Sequence, residues 1–341
     1  MNGHLLVYGA TGYTGRLIAH RAKEVGLDLT VAGRDAARVT ALAEELGVPA
    51  AVFPVDDEEA LLAGLAGIAV VLNAAGPFDR TAGPVMRAAV RAGVHYLDTT
   101  AEYAVFALAE SLGDAAEAAG VMLLPGAGWD VVPSDGLAAH TARRVPRPRT
   151  LKIGLKLYRG PDPDEVFAGG SMFSRGSLAS NGSIGELGAL VRADGRITAL
   201  PEPTTALLDY GDGPESSVLL PMGDLVTAWR STGVPNIEVY FENGRALPAP
   251  SGDLADLPDG PTERQRALGR SRVAVEVTDH DGTVVRSFAD TPTGYGFTRL
   301  STVEIARRVL AGDVRPGFQT PASAYGPEIV TAIADSRIVD L

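Results

Sequence analysis

Short apolar runs alternate with amphipathic stretches along the first part of the chain. The apolar runs predict six β-strands, over Leu5–Tyr8, Leu29–Ala32, Ala51–Pro54, Val70–Asn73, His95–Leu97 and Val121–Leu124. Apolar positions at helical spacing predict five helices between them, over Thr14–Glu24, Ala36–Leu46, Glu58–Leu65, Gly83–Ala92 and Tyr103–Ala119. Strands that alternate with helices in this way are typical of a doubly wound, parallel α/β sheet of the Rossmann type.

This alternation stops at a proline-rich stretch. Pro146 and Pro148 interrupt the pattern, so we place the end of the first domain there. We predict a Rossmann domain over residues 1–145 and a second domain over residues 150–294. For residues 295–341 we keep open a return of the chain to the first domain.

Beyond the boundary, apolar residues alternate with a period of two. Leu151–Leu157 and Val273–Val277 follow this pattern, and Asp281-Gly282 is a hairpin signal that leads into Thr283–Phe288. The second domain is therefore predicted to be an α+β domain with a largely antiparallel sheet. We also predict a helix between Phe173 and Val191, loops at Asp209–Glu215 and Pro248–Pro261, and a helix over Leu300–Leu310.

A glycine-rich turn follows the first predicted strand and opens the first helix. Gly9 suits the tight turn, Gly12 lets a diphosphate approach the backbone, and Gly15 allows close packing of helix on strand. A tight turn without a ligand is the alternative, but the repeated strand and helix units favour a dinucleotide. The predicted contacts of the cofactor with this turn are Gly9, Thr11, Gly12, Tyr13, Thr14 and Gly15.

The end of the second strand indicates which dinucleotide binds. NAD enzymes usually place an acidic residue there, and NADP enzymes a basic one. Gly33 and Arg34 occupy this place, and the guanidinium of Arg34 can pair with a 2′-phosphate. Asp35 follows directly, but it also suits the N-cap of the next helix. We therefore predict NADP(H) as the cofactor.

Small residues follow the fourth strand, at the edge of the sheet where ligands bind in such folds. They would let the nicotinamide ribose pack against the backbone. The predicted contacts are Asn73, Ala74, Ala75, Gly76 and Pro77. A loop shaped only by its glycine and proline is the alternative.

Composition narrows the possible functions. The chain has 341 residues, a net charge of −12 and no cysteine, which excludes disulfides and thiolate chemistry. The acidic charge argues against nucleic acid as a partner, and five isolated histidines give no metal motif. No apolar run is long enough to cross a membrane, so we expect a cytoplasmic protein that acts on a small molecule.

Several of these segments together resemble the saccharopine dehydrogenase-like NADP-binding superfamily, in particular its short bacterial branch of trans-acting enoyl reductases. The segments are Gly9–Gly15, Ala32–Arg34, Asn73–Phe78, Tyr96–Glu102 and Gly126–Asp135, with a weaker similarity at Thr320–Ala324. The resemblance implies a Rossmann domain, a substrate and dimerisation domain, and a homodimer. It also implies hydride transfer from NADPH to a C=N or a conjugated C=C bond. Trp129 departs from the family, which often has phenylalanine there.

Candidate catalytic residues follow the fifth and sixth strands, and one lies in the second domain. Hydride transfer needs groups that hold the acceptor and often a proton donor. The candidates are Asp98, Glu102, Tyr103, Trp129, Asp130 and Tyr295. Each has a structural alternative, such as a carboxylate that binds backbone N–H groups. A regulator that senses the redox state of NADP, and a synthase that uses NAD(P) transiently, remain alternatives to a reductase.

Overall fold

The structure is a computed structural model that describes residues 3–167, 172–178, 187–242 and 259–341. The chain forms two compact units. The first comprises Met1–Thr100, Ala104–Gly128 and Thr298–Gln319. The second comprises Ala101–Tyr103, Trp129–Phe297 and Thr320–Leu341.

The first unit contains a seven-stranded sheet in which every neighbouring pair is parallel. Its strands are β1 (Leu5–Tyr8), β2 (Leu29–Gly33), β3 (Ala50–Val52), β4 (Val70–Asn73), β5 (His95–Asp98), β6 (Met122–Leu124) and β15 (Gly317–Phe318). They are ordered β3-β2-β1-β4-β5-β6-β15, which is the doubly wound order extended by one strand. The prediction of a Rossmann sheet is confirmed, and all six predicted strands are present.

Helices connect these strands, as the apolar spacing predicts. They are α1 (Tyr13–Glu24), α2 (Ala36–Leu46), α3 (Glu58–Gly64), α4 (Phe78–Ala92), α5 (Tyr103–Ser111) and α6 (Gly113–Ala118). Helix α4 begins at Phe78 rather than Gly83, since the buried ring of Phe78 packs as part of the helix. The single helix predicted up to Ala119 is two helices, because the first ends at Ser111 and a second begins at Gly113, with a turn at Leu112.

The second unit contains a nine-stranded sheet ordered β10-β11-β12-β7-β13-β14-β16, with the β8–β9 hairpin attached to β12. Its strands are β7 (Pro148–Arg159), β8 (Ala189–Ala193), β9 (Arg196–Leu200), β10 (Thr205–Asp209), β11 (Pro214–Leu219), β12 (Asn236–Glu242), β13 (Arg270–Asp279), β14 (Val284–Pro292) and β16 (Arg337–Asp340). Only the β12–β7 pair is parallel among these. The prediction of a largely antiparallel sheet is therefore confirmed.

Helices of the second unit include one whose residues the sequence analysis placed in the first domain. They are α7 (Val132–Ala142), α8 (Pro163–Val166), α9 (175–178), α10 (Asp224–Thr232), α11 (Glu263–Ala267), the start of α12 (Gly294–Leu310) and α13 (Pro321–Tyr325), with a 3₁₀ turn at Pro327–Ile329. Almost every residue of α7 is buried, and α7 packs against β13, β14 and α10. The division between the units therefore falls at Trp129, not near residue 145.

Other local predictions differ from the structure. The helix predicted between Phe173 and Val191 is wrong at its end, because strand β8 begins at Ala189. Residues 179–186 of that prediction lie outside the described chain. The loop predicted at Asp209–Glu215 is a short turn between β10 and β11. Most of the loop predicted at Pro248–Pro261 lies outside the described chain. Of residues 295–341, Thr298–Gln319 belong to the first unit and Thr320–Leu341 to the second.

Among the described residues, no helix has both the length and the apolar character needed to cross a membrane.

Candidate functional site

The glycine loop of the first unit joins β1 to α1. Gly9 has a φ of 76°, a left-handed value that favours glycine. A Cβ on Gly9 would also lie 2.6 Å from the backbone nitrogen of Ala75, and one on Gly15 would lie 2.2 Å from the carbonyl oxygen of Gly9. The packing of the loop itself therefore requires both glycines.

Gly12 differs from these two glycines. It precedes α1 with φ of −76° and ψ of 166°, a conformation that any residue adopts. Among the described residues, a Cβ on Gly12 would meet only the carbonyl oxygen of Gly9 within 4 Å, at 3.4 Å. The fold does not need glycine here, and a side chain would instead fill the open space beside the loop. In Rossmann domains a diphosphate approaches the backbone at this position.

Helix α1 starts without a side-chain cap. Gly12, its N-cap residue, offers no side-chain acceptor, and the first turn holds no acidic residue. The N–H groups of a first helical turn carry partial positive charge. The start of α1 is therefore suited to bind an anionic diphosphate.

The carboxyl end of β2 presents Arg34 as the sequence predicts. Arg34 is exposed and forms no hydrogen bond or ion pair with another residue in the described part of the chain. The neighbouring carboxylate of Asp35 caps α2, since its Oδ1 accepts from the backbone nitrogen of Arg38 at 3.1 Å. Because this carboxylate caps helix α2, Arg34 is the side chain that can contact the ribose.

A hydrogen-bond network fixes the loop after β4. Nδ2 of Asn73 donates to the hydroxyl of Thr81 at 3.1 Å, and its Oδ1 accepts from the backbone nitrogen of Ala75 at 3.0 Å. The backbone nitrogen of Ala74 donates to the carbonyl of Tyr8 at 2.8 Å. The loop is thereby held beside the carboxyl end of β1, next to the glycine loop.

Asp98 lies at the carboxyl end of β5 and is fully buried. Its carboxylate accepts from the hydroxyl of Tyr96 at 2.8 Å, from the backbone nitrogen of Thr100 at 3.0 Å and from that of Gly126 at 2.8 Å. These bonds join the ends of β5 and β6. The first unit thus uses this carboxylate to shape the edge of its sheet.

The other catalytic candidates lie in the second unit. Trp129 is 1% exposed, and its indole nitrogen donates to the hydroxyl of Thr291 at 2.9 Å. Glu102 is also buried, whereas Tyr103 is partly exposed at the start of α5. The carbonyl of Ala101 accepts from the backbone nitrogen of Gly223 at 3.0 Å, which joins this short segment to the start of α10.

Tyr295 is held by two serines of one short segment. Its phenolic oxygen accepts from the backbone nitrogen of Ser174 at 2.7 Å and lies 2.7 Å from the hydroxyl of Ser177. The hydroxyl of Ser174 in turn accepts from the backbone nitrogen of Ser177 at 3.1 Å. Burial raises the pKa of Tyr295, and the charge of Asp130 adds to this rise. The phenol therefore keeps its proton at neutral pH.

Asp130 is partly exposed and lies close enough to Tyr295 for their charges to interact. Its surroundings remove most of the water from the carboxyl group, and this desolvation raises the pKa of Asp130 to about 6. Of the candidates, Asp130 and Tyr295 are thus two titratable groups that the second unit brings close to each other.

Sequence analysis missed a second carboxyl group near Asp130. Asp224 begins α10 and is fully buried, and neither of its carboxylate oxygens has a hydrogen-bond partner in the described part of the chain. Burial raises the pKa of Asp224 to about 8, and the charges of Asp135 and Asp130 contribute to the rise. The nearby hydroxyl of Ser134 donates to the carbonyl of Val131 and offsets only part of this effect.

Asp135 is the third carboxyl group of this cluster, and it has hydrogen-bond partners. It accepts from the hydroxyl of Ser231 at 2.6 Å and from the backbone nitrogen of Ala322 at 2.7 Å, so it joins α7 to α10 and α13. Burial still raises the pKa of Asp135 to about 6. Within the described ranges, no group of three or more histidine, aspartate or glutamate residues is arranged to hold a metal ion.

Comparison with known families decides the nature of the first unit. Residues 5–124 match the family model of the saccharopine dehydrogenase NADP binding domain, and this span includes the glycine loop, Arg34 and the loop after β4. Over these residues the first unit is similar to the saccharopine dehydrogenase NADP binding domain. The predicted resemblance and the predicted NADP(H) cofactor are both confirmed by this match.

Relatives of this NADP binding domain occur in mycobacteria. A trans-acting enoyl reductase of Mycobacterium leprae is 34% identical over 157 residues, which are 44% of this chain and 38% of that protein. A trans-acting enoyl reductase of Mycobacterium tuberculosis is 32% identical over 139 residues, which are 38% of this chain and 33% of that protein. The chain thus spans little more than a third of the length of these relatives.

The whole chain also resembles a solved structure. Saccharopine dehydrogenase (L-Glu forming) from Saccharomyces cerevisiae, solved without ligand, covers 99% of this chain with a TM-score of 0.66 and 15% identity. The alignment covers 100% of that chain. This similarity extends the likeness of fold from the NADP binding domain to the second unit.

Proposed function

We propose that the protein is an NADPH-dependent reductase that transfers a hydride to a C=N bond or to a conjugated C=C bond of a small metabolite. The NADP binding domain and the enoyl reductase names of its mycobacterial relatives support this proposal. The observation that carries it is the position of the Tyr295 phenol, which two hydrogen bonds fix and which we propose as the proton donor.

Three features of the first unit suit it to bind NADPH. The start of α1 offers uncapped N–H groups for the diphosphate, Gly12 leaves space for it, and Arg34 offers a cation for the 2′-phosphate. The Asn73 side chain holds the loop on which we place the nicotinamide ribose. Bound NADPH supplies a hydride, and the acceptor then also needs a proton.

Tyr295 is the proton donor that we favour. Its oxygen accepts a hydrogen bond from the backbone N–H of Ser174 and lies beside the hydroxyl of Ser177. Both groups can stabilise the phenolate that remains after the proton has left. Its raised pKa keeps the phenol protonated before the step. A phenol of this kind would donate to the carbonyl oxygen of an enoyl group or to the nitrogen of an imine.

Asp130 is the second candidate donor. With a pKa of about 6, it is mostly ionised at neutral pH, and the ionised form can hold a protonated imine nitrogen. Its acid form can protonate an imine directly below that pH. Glu102, Tyr103 and Trp129 would position the substrate or the two donors. Asp98 would shape the sheet edge of the first unit.

A homodimer is part of this proposal and rests on the resemblance to a family with a dimerisation domain. The two alternatives, a regulator that senses NADP and a synthase that uses NAD(P) transiently, need no proton donor at Tyr295. The test is NADPH consumption with a panel of α,β-unsaturated thioesters and cyclic imines, using wild type and Tyr295→Phe. Consumption with one class, lost in Tyr295→Phe, supports a reductase. No consumption with either class, although NADPH binds, favours the regulator.

A further inference from the structure

The side chain of Arg38 crosses from helix α2 to the glycine loop. Its Nη2 donates to the carbonyl oxygen of Thr11 at 2.8 Å, although 27 positions separate the two residues. Its backbone nitrogen is bound by the capping carboxylate of Asp35. Arg38 therefore joins the loop that faces the diphosphate to the segment after β2 that faces the adenine ribose.

The positive charge of Arg38 is not neutralised. In the described part of the chain no carboxylate forms an ion pair with it. Arg16 on α1, by contrast, is paired with Glu45 at 2.8 Å. A guanidinium has five N–H donors, and the bond to Thr11 uses only one of them.

We propose that Arg38 is a second specificity-determining residue for NADP, and that its guanidinium binds the 2′-phosphate beside Arg34 while it holds the Thr11 carbonyl. A 2′-phosphate carries nearly two negative charges, more than the one guanidinium of Arg34 neutralises. Planar N–H pairs match phosphate oxygens well, so charge-assisted bonds from a second guanidinium strengthen binding further. NADH lacks this phosphate and would gain nothing from the charge of Arg38.

Two variants of Arg38 remove the contact with the phosphate, one with and one without a remaining donor for the loop. Arg38→Gln removes the charge and keeps an N–H donor in the side chain, whereas Arg38→Ala removes both. The control is Arg21→Ala, which removes a partly exposed guanidinium that Glu24 pairs at 2.8 Å on α1 of the same unit. The thermal unfolding midpoint of each variant without ligand tests whether it remains folded.

The measurement is the dissociation constant of each variant for four ligands by titration calorimetry: NADPH, NADH, adenosine 2′,5′-bisphosphate and adenosine 5′-monophosphate. We expect both Arg38 variants to bind NADPH and the bisphosphate about tenfold more weakly, as loss of a charge-assisted bond implies. Their affinity for NADH and the monophosphate, and all affinities of Arg21→Ala, should stay within about twofold.

Two results would overturn this assignment. Equal weakening of NADPH and NADH would make Arg38 a support of the glycine loop alone. Unchanged affinity for all four ligands would make it an exposed cation with no part in binding. Binding is measured without a substrate, so either result leaves the proposal of a reductase untouched.

Discussion

The backbone nitrogen of Ser174 donates to the phenolic oxygen of Tyr295 at 2.7 Å, although 121 positions separate the two residues. The same oxygen lies 2.7 Å from the hydroxyl of Ser177. These two contacts fix the position of the phenolic oxygen. Our predictions for catalysis begin from this arrangement.

Tyr295→Phe should lower turnover about 10²–10⁴-fold, which is the usual loss when one proton donor is removed. The affinity for NADPH should stay nearly unchanged, because Tyr295 belongs to the second unit and the glycine loop to the first. Steady-state rates and calorimetric titration measure the two effects. Ser177→Ala is the matched variant: it keeps the phenol and should lose less activity. If Tyr295→Phe retained full turnover, Tyr295 would not be the donor.

The pH dependence of activity should distinguish Tyr295 from Asp130. If the acid form of Asp130 gives the proton, kcat/KM should fall as pH rises through about 6, and Asp130→Asn should abolish that fall together with most of the activity. If Tyr295 gives the proton, kcat/KM should keep its value well above pH 6, because burial raises the pKa of Tyr295 above its ordinary value. We predict the second profile. A sharp decline centred near pH 6 that Asp130→Asn removes would contradict it.

Gly12→Val should abolish the stabilisation of the protein by NADPH and leave the fold largely intact. Its backbone conformation is open to valine, and the added side chain would occupy the space beside the loop. Thermal unfolding with and without NADPH measures both properties. Gly15→Ala is the contrasting variant and should unfold at lower temperature even without ligand, since its Cβ would overlap the Gly9 carbonyl. Normal NADPH stabilisation of Gly12→Val would mean that the loop is only a turn.

The sequence predicted the first unit closely because its strands are buried on both faces. Val70–Asn73 and Leu5–Tyr8 are wholly buried, and such strands read as continuous apolar runs. The glycine loop was predicted for a related reason, because its spacing is set by local backbone geometry. Local rules of this kind need no knowledge of distant contacts.

Much of the second unit could not be predicted, because its strands do not show simple alternation. Arg192 lies in β8 and is 7% exposed, and its guanidinium donates to backbone carbonyls and lies over the ring of Trp229. Leu207 in β10 is 69% exposed instead. A buried charge and an exposed apolar residue both break the pattern that identifies strands.

The contacts of the candidate site show the same limit. Ser177 and Asp224 belong to no sequence motif, because the contacts and charges that give them a role come from residues far away in the chain. For Arg38, the one local signal is its place in the first turn of a helix, and that does not indicate a bond to Thr11.

Asp224→Asn should stabilise the protein increasingly as pH rises. The folded protein holds a proton on Asp224 up to about pH 8, whereas the unfolded chain releases it near pH 4. The folded state thus binds more protons, so this group's contribution to stability is fully present below about pH 4 and is lost as pH rises to about 8. The loss is at most about 1.4 kcal/mol per pH unit in that range. Asp130 and Asp135 act in the same direction up to about pH 6.

Urea unfolding of wild type and Asp224→Asn from pH 5 to pH 9 measures this effect. The difference in free energy of unfolding should grow with pH in favour of the variant, whereas Glu202→Gln, at an exposed position of the same unit, should show no such trend. A difference that does not change with pH would mean that Asp224 is ionised in the folded protein throughout.

The most direct measurement of the central claim is hydride transfer itself. NADPH carrying deuterium at C4 of the nicotinamide, on one face and then on the other, is incubated with the protein and with the panel of unsaturated thioesters and cyclic imines. Mass spectrometry then follows the products. We predict that one deuterium from one face appears on the carbon of the reduced bond, and that Tyr295→Phe slows its appearance. Tight binding of NADPH with no deuterium in any product of either class would contradict the claim that this protein is a reductase of such bonds.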